Sequence, residues 1–306
     1  MYKSFYGLSG KPFSLLPDAD SVFPSKRHRR AITLLEYGVA AQAGFAVISG
    51  EVGAGKTTIV RHFLKNVGTN VVVGVITNPS VSTGRLFDWI ALAFDIKERG
   101  ADDTTLYNAI VEFLLAQYAK GKRTILIVDE AQNLTAAMLE DLRMLSNINN
   151  ERDMLLQVVL VGQQELLETL RRPELRQFVQ RITVHCHLDP LSPAEAAAYI
   201  RYRLGLVGGS PELFDDEACA AVYHFTGGVP RLINLLCDQA LVYGYSEDLL
   251  RIPFGTVAEV AIDRSSFGLS AFRNVPKEFD AAKLKDDIKT ILDKIRQGLR
   301  EESEKP

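Results

Sequence analysis

From Phe45 onward the chain alternates short apolar runs with stretches of helical periodicity. The runs FAVISG, VVVGVIT, TILIVDE, LLQVVLVG and ITVHCHL read as strands over residues 45–50, 71–77, 124–129, 155–161 and 182–187. Continuous rather than alternating apolarity marks strands buried on both faces, so the five are expected to form one parallel sheet covered by helices, an α/β fold. After PLSPAEAAAYI the strand pattern stops. Helical periodicity over 192–207, 215–225 and 229–243, punctuated by VGGSPE and TGGVP, then predicts a small all-helical domain, with a boundary near Asp189. From Pro276 onward Ala281, Leu284, Ile288, Ile291 and Ile295 recur at spacings of three and four among Lys, Asp and Glu, a coiled-coil-like stripe about two heptads long. Four segments are expected: an N-terminal part with a helix over 1–44, packed on the core through Phe5, Tyr6, Pro12 and Phe13; an αβ domain over 45–189; a helical domain over 190–265; and a charged tail with an amphipathic helix over 266–306.

Composition narrows the class without naming a function. The 306 residues are 47% hydrophobic and 24% charged, which suits a globular chain with room for a core domain and a smaller second one. Lys and Arg number 35 against 38 Asp and Glu, so the overall field offers no general attraction to nucleic acid or anionic lipid, and any such contact must be local. Cys186, Cys219 and Cys237 are odd in number, far apart and set in apolar periodic segments, so they read as buried thiols of a reducing compartment. MYKSFYGLSGKPF lacks the layout of a signal peptide, and no run approaches the ~18 apolar residues of a membrane span; a cytoplasmic location is expected, with a partner as the route to any membrane.

GEVGAGKT, Gly50 to Thr57, fits G-x-x-x-x-G-K-[ST] and lies between a buried strand and a helix start. There the backbone amides of Gly50, Glu51, Val52, Gly53, Ala54, Gly55, Lys56, Thr57 and Thr58, with the helix dipole behind them, face an anion. Lys56 is expected to bridge terminal phosphates and the Thr57 hydroxyl to ligate Mg2+. TILIVDE delivers Asp129 and Glu130 to the carboxyl edge of the sheet, where open α/β sheets bind ligands. Asp129 would hold the magnesium ion through water, and Glu130 would polarise an attacking water, which points to hydrolysis of a nucleoside triphosphate rather than nucleotide storage. LLQVVLVG ends at Gly162, so Gln163 either positions that water or is an exposed polar residue at a helix start.

GEVGAGKTT, ILIVDEAQNL, VVLVGQQEL, LRQFVQRITVHCHLDPLS and TGGVPRLINLLCD occur in the order found in AAA+ ATPases, which the chain resembles. With the opening FYGLSGKPFSLLPDADSVFPSKRHRRAITLLEYG, it resembles the type II secretion protein A family, including the shorter ATPases of exosortase and exopolysaccharide loci, over about residues 1–265. The resemblance implies a magnesium-dependent ATPase with a P-loop AAA+ core and a helical lid, working as a homo-oligomer, ring or filament. It places Gln163 at the sensor 1 position, where many relatives carry Asn or Thr, and Arg231, in GGVPR, at the sensor 2 position. Arg181, in VQRIT, falls where such proteins carry the arginine finger offered to the next subunit; Arg176 competes for that role, and a plain surface arginine is the alternative.

Two purposes for the ATPase follow from the resemblance, and a nucleotide-dependent structural scaffold with negligible turnover is a third reading, against which intact Lys56, Asp129 and Glu130 argue. One is assembly or remodelling of a secretion or exopolysaccharide export complex, peripheral at the inner membrane through partner proteins. The other is an ATP-dependent DNA-binding regulator of the transposition target-selection type. SKRHRR, residues 25–30, sets four cations under a Ser at a helix start, which suits a nucleotide phosphate, an acidic partner, DNA or a merely solvated face. The C-terminal stripe suits docking on a membrane partner, or a solvated or self-packed helix.

Overall fold

The computed structural model describes residues 1–16, 22–41, 43–79, 84–97, 102–150, 153–266, 268 and 271–303. Parts of the expected N-terminal segment (17–21 and 42) and of the charged tail (267, 269–270 and 304–306) lie outside the described residues. The chain divides into two compact units: Lys26–Val52 with Lys56–Leu188, and Met1–Ser25 with Gly53–Gly55 and Asp189–Pro306.

The first unit is built on the five apolar runs. They form strands β1 (Phe45–Gly50), β2 (Val71–Thr77), β3 (Arg123–Asp129), β4 (Leu156–Gly162) and β5 (Ile182–Leu188). All pair in parallel in the order β2-β3-β4-β1-β5, with Val71 opposite Arg123, Thr124 opposite Leu156, and Phe45 opposite both Val158 and Ile182. β1 and β4 are buried at every position, which is why neither shows an alternating pattern. Among the helices of this unit are α2 (Lys26–Ala40), α3 (Lys56–Asn66), α4 (Leu86–Ala93), α5 (Asp103–Ala119), α6 (Ala136–Leu145), α7 (Gln164–Leu170) and α8 (Arg176–Val179); α1 (Tyr2–Phe5) belongs to the other unit. Asp102 and Thr135 cap α5 and α6 by accepting hydrogen bonds from backbone N–H groups of the first turn. A continuous core of Phe45, Ile90, Leu106, Ile110, Leu126, Leu142, Val158 and Phe178 lies between sheet and helices.

The second unit is helical. It holds α9 (Pro193–Gly205), α10 (Asp216–Thr226), α11 (Pro230–Ser246), α12 (Phe254–Ser266) and α13 (Ala281–Ser303). A capping box between Ser192 and Glu195 starts α9. Gly227 and Gly228 stop α10 at φ +60° and +79°, and a Cβ on Gly228 would collide with the Leu191 carbonyl oxygen, so the GG of TGGVP is a steric requirement.

The N-terminal part is placed differently from expectation, and the C-terminal stripe takes the self-packed alternative. The expected 1–44 segment splits, because residues 1–25 join the helical unit whereas α2 packs with the sheet against β5. Phe13 is fully buried with its ring edge-on to Phe214, Phe23 meets Tyr199, and the Arg203 Nε donates to the Pro12 carbonyl at 2.6 Å. The aromatic and Pro content therefore finds its apolar surface on the helices. The C-terminal stripe is also occupied within the chain: Leu284, Ile288 and Ile295 are buried in the helical core, and Gly298 lets α13 approach Ala194 of α9. Each of those side chains contributes roughly 1.5–3 kcal/mol by leaving water. Cys186, Cys219 and Cys237 are buried thiols outside any disulfide, and burial pushes the Cys219 thiol up to about 12.

Candidate functional site

The strand-to-helix turn after β1 is shaped by glycines. A Cβ on Gly50 would sit 2.7 Å from the Leu188 carbonyl oxygen, and Gly53 and Gly55 have φ of +82° and +99°, a region that side chains disfavour. Lys56 opens α3 almost wholly buried, and its Nζ donates to the carbonyls of Gly50 (2.8 Å) and Glu51 (2.9 Å). Burial lowers its pKa, with Glu130, Asp129 and Glu165 pulling the other way. The ammonium thus lies curled into the mouth of the loop with three acidic groups within electrostatic reach.

One residue on, the Thr57 Oγ1 donates to the Asp129 Oδ2 at 3.0 Å, which joins the start of α3 to the end of β3. The other oxygen, Oδ1, accepts the Glu130 backbone N–H at 3.0 Å. Glu130 itself has φ 55° and ψ 40°, left-handed backbone on a residue that is not glycine. Such a conformation costs on the order of 1–3 kcal/mol and persists only where the surroundings impose it. It turns the carboxylate away from the strand direction and into a small network. Glu130 Oε2 accepts from the Gln132 Nε2 and, at 3.1 Å, from the Gln163 Nε2, while the Gln132 Oε1 accepts the Gln163 backbone N–H at 3.0 Å. Burial pushes the Glu130 pKa up, but the hydrogen bonds from Gln132 and Gln163 and the Lys56 charge outweigh it, so the carboxyl titrates below its ordinary range.

Gln132 did not emerge from the sequence. In DEAQNL it looks like one more polar residue of a loop, and only the left-handed Glu130 brings a side chain two positions later back onto the carboxylate. Gln163 sits at the N-cap of α7 but makes no side-chain cap, so its amide is committed to Glu130.

The arginines are dispersed. Arg181 Nη1 donates to the Ser146 Oγ at 3.4 Å, whereas Arg176 is exposed on a different wall, in a cleft with Arg171 and Arg172. Arg231 is exposed in the first turn of α11, whose N-cap Val229 offers no side-chain cap, and its backbone N–H donates to the Gly53 carbonyl at 3.3 Å. In SKRHRR the Ser25 and His28 side chains are buried, while Lys26, Arg27, Arg29 and Arg30 face solvent.

A phosphate loop on a 2-3-4-1-5 parallel sheet, with an acidic pair ending β3 and a helical unit in the same chain, defines a P-loop ATPase of the AAA class. Residues 39–170 match the family model of the AAA domain. Over 266 residues the chain is 41% identical to General secretion pathway protein A of Aeromonas hydrophila, a match covering 87% of this chain and 49% of that protein. The chain is thus an AAA ATPase related to general secretion pathway protein A, and it spans about half the length of that relative. Solved structures share the fold. The Aeropyrum pernix ORC2 protein in its ADPNP-ADP complexes aligns at a TM-score of 0.61 and 16% identity, over 92% of this chain and 82% of that one. The ORC1 protein of the same organism, solved in complex with DNA, aligns at 0.59 and 20%, over 84% and 71%. The RuvB Holliday junction branch migration motor of Thermotoga maritima aligns at 0.52 and 19%, over 81% and 72%. At these identities the likeness is one of fold.

Among the described residues no helix is long and apolar enough to cross a membrane, and no cluster of three or more His, Cys, Asp and Glu side chains could hold a metal ion by itself.

Proposed function

We propose that this chain binds ATP with Mg2+ and hydrolyses it, and that the cycle, run in a homo-oligomer, drives assembly or remodelling of a secretion or exopolysaccharide export complex. The observation that carries the hydrolytic half is the continuous set Thr57, Asp129, Glu130 and Gln163 joined by hydrogen bonds of 3.0–3.1 Å. The amides of Gly50–Thr58 cradle the phosphates, and Lys56 leaves its two carbonyl partners for the terminal ones. Thr57 and Asp129 are hard oxygen donors already side by side, a set that fits magnesium, which keeps much of its own water and needs only one or two protein ligands. Bound there, the ion would neutralise charge on the transferring phosphoryl group. Glu130, ionised because its carboxyl titrates low, accepts the proton of the attacking water, and Gln163 and Gln132 hold it in place. Arg231 serves as the lid's contact to the terminal phosphates, and Arg181 completes a neighbour's site.

The secretion half rests on the 41% identity to General secretion pathway protein A. A cytoplasmic position, peripheral at the inner membrane through a partner, belongs to the same reading.

Nucleotide binding and turnover, measured separately, test it. Lys56→Ala should weaken ATP binding at least about tenfold, whereas Glu130→Gln should bind normally and retain ATP unhydrolysed. Undiminished turnover in Glu130→Gln would remove that residue from the chemistry. Tight, ATP-dependent filaments on duplex DNA at physiological salt, lost when Arg27, Arg29 and Arg30 are neutralised, would replace the export reading with a DNA-directed one.

A further inference from the structure

On the αβ unit, between α7, the turn over 171–179 and the ends of β1 and β5, lies a cleft of about 810 Å³, within the size range of ligand pockets. Its floor is apolar, with Leu167, Val179 and Ile182, and Val179 is 41% exposed. Its rim carries Arg171, Arg172 and Arg176, all exposed. The ion pairs and side-chain hydrogen bonds of the described residues include none from these three guanidinium groups, although Glu168 and Glu174 are close in sequence. The C-terminal dipole of α7 accounts for cations at 171 and 172, but not for Arg176 or for an apolar floor between them.

The geometry points to a docking cleft for a short acidic segment of a partner protein, one that lays a Leu or Phe side chain on the floor and carboxylates on the three arginines. Guanidinium forks pair bidentately with carboxylates, and the floor gives such a segment an apolar anchor that phosphate-rich ligands lack. A nucleic acid fits less well. No Phe, Tyr or Trp side chain lines the cleft to stack on bases, only the His185 imidazole, and a phosphate backbone would leave the floor facing water. A nucleotide would find neither a glycine-rich loop nor a carboxylate for its metal there. The inference rests on Arg181, and not Arg176, completing the neighbour's site; Arg171, Arg172 and the apolar floor have no part in the hydrolytic reading.

The test uses the full chain. Random 12-residue peptides displayed on phage are selected on the wild-type protein alone, and the selected peptides are then compared on wild type and R171E/R172E. Two exposed sites are changed, so circular dichroism and basal ATP hydrolysis should be unaltered. Surviving peptides should combine clustered Asp and Glu with Leu or Phe. Synthesised with a fluorescent label, they should bind wild type at least about tenfold more tightly than R171E/R172E by anisotropy, weaken with salt, and also weaken on Val179→Glu, which sets a carboxylate on the floor. Selected peptides that bind R171E/R172E as well as wild type would overturn the proposal. So would displacement by inorganic phosphate or duplex DNA as effective as by the unlabelled peptide, which would make the rim a general anion surface.

Discussion

Gln132 is the position where the structure makes its sharpest claim about turnover. Its amide makes two hydrogen bonds at once, donating to the Glu130 carboxylate and accepting the Gln163 backbone N–H at 3.0 Å. In Gln132→Leu a side chain of similar length replaces it and both bonds go. A hydrogen bond to a charged group contributes about 1.5–3 kcal/mol, which at 1.4 kcal/mol per decade corresponds to about a tenfold to hundredfold loss of kcat if the carboxylate must be held for water attack. Lys56, Thr57 and the loop amides are untouched, so ATP affinity should change by less than about threefold. Phosphate release would give kcat, and a fluorescent nucleotide would give affinity. The acid limb of the kcat profile should also move to higher pH, because a carboxyl deprived of a donor binds its proton more tightly. A kcat within twofold of wild type would refute the positioning role. A clear rise would refute it in the other direction, showing that Gln132 restrains Glu130 rather than presenting it.

Three further outcomes are expected. Inactive Arg181→Ala subunits mixed with inactive Lys56→Ala subunits should recover part of the ATPase activity, since one supplies a good loop and the other a good finger; no recovery in mixtures shown to co-assemble would move the role to Arg176 or to a site completed within one chain. Ile288→Ala, at a position 1% exposed in the helical core, should cost about 2–5 kcal/mol in urea unfolding of that unit, and a cost under about 0.5 kcal/mol would mean that α13 is not packed as described. The Glu130 carboxyl, depressed in the fold, should add stability above the ordinary carboxylate pKa that disappears as pH falls through the folded value; the difference in unfolding midpoint between wild type and Glu130→Gln should therefore shrink on acidification, and a constant difference would contradict the depressed titration.

Read along the chain, the five apolar runs reach the right strands to within a residue or so: β1, β3 and β4 are buried almost throughout and leave an apolar signature that needs no partner to be recognised, whereas the edge strands β2 and β5 keep exposed positions. The phosphate loop is legible for a related reason: positive φ at Gly53 and Gly55 demands glycine in a fixed spacing, so backbone geometry is written directly as residue type. What depends on distant surfaces was not legible. The apolar stripe of α13 and the aromatic N-terminus are each compatible with several mates, and only packing selected the helical unit for both, through Ala194 on one side and Phe214 on the other. Likewise, DEAQ states that a Gln follows the acidic pair, but its grip on Glu130 exists only because the chain turns left-handed at a non-glycine residue, a conformation that local preference disfavours and the assembled β3 and β4 ends impose. Sequence determined the sheet, the loop and the acidic pair, whose requirements are local; tertiary structure decided which side chains hold the carboxylate and where the two ends of the chain bury their apolar faces, because those choices are made between residues far apart in the chain.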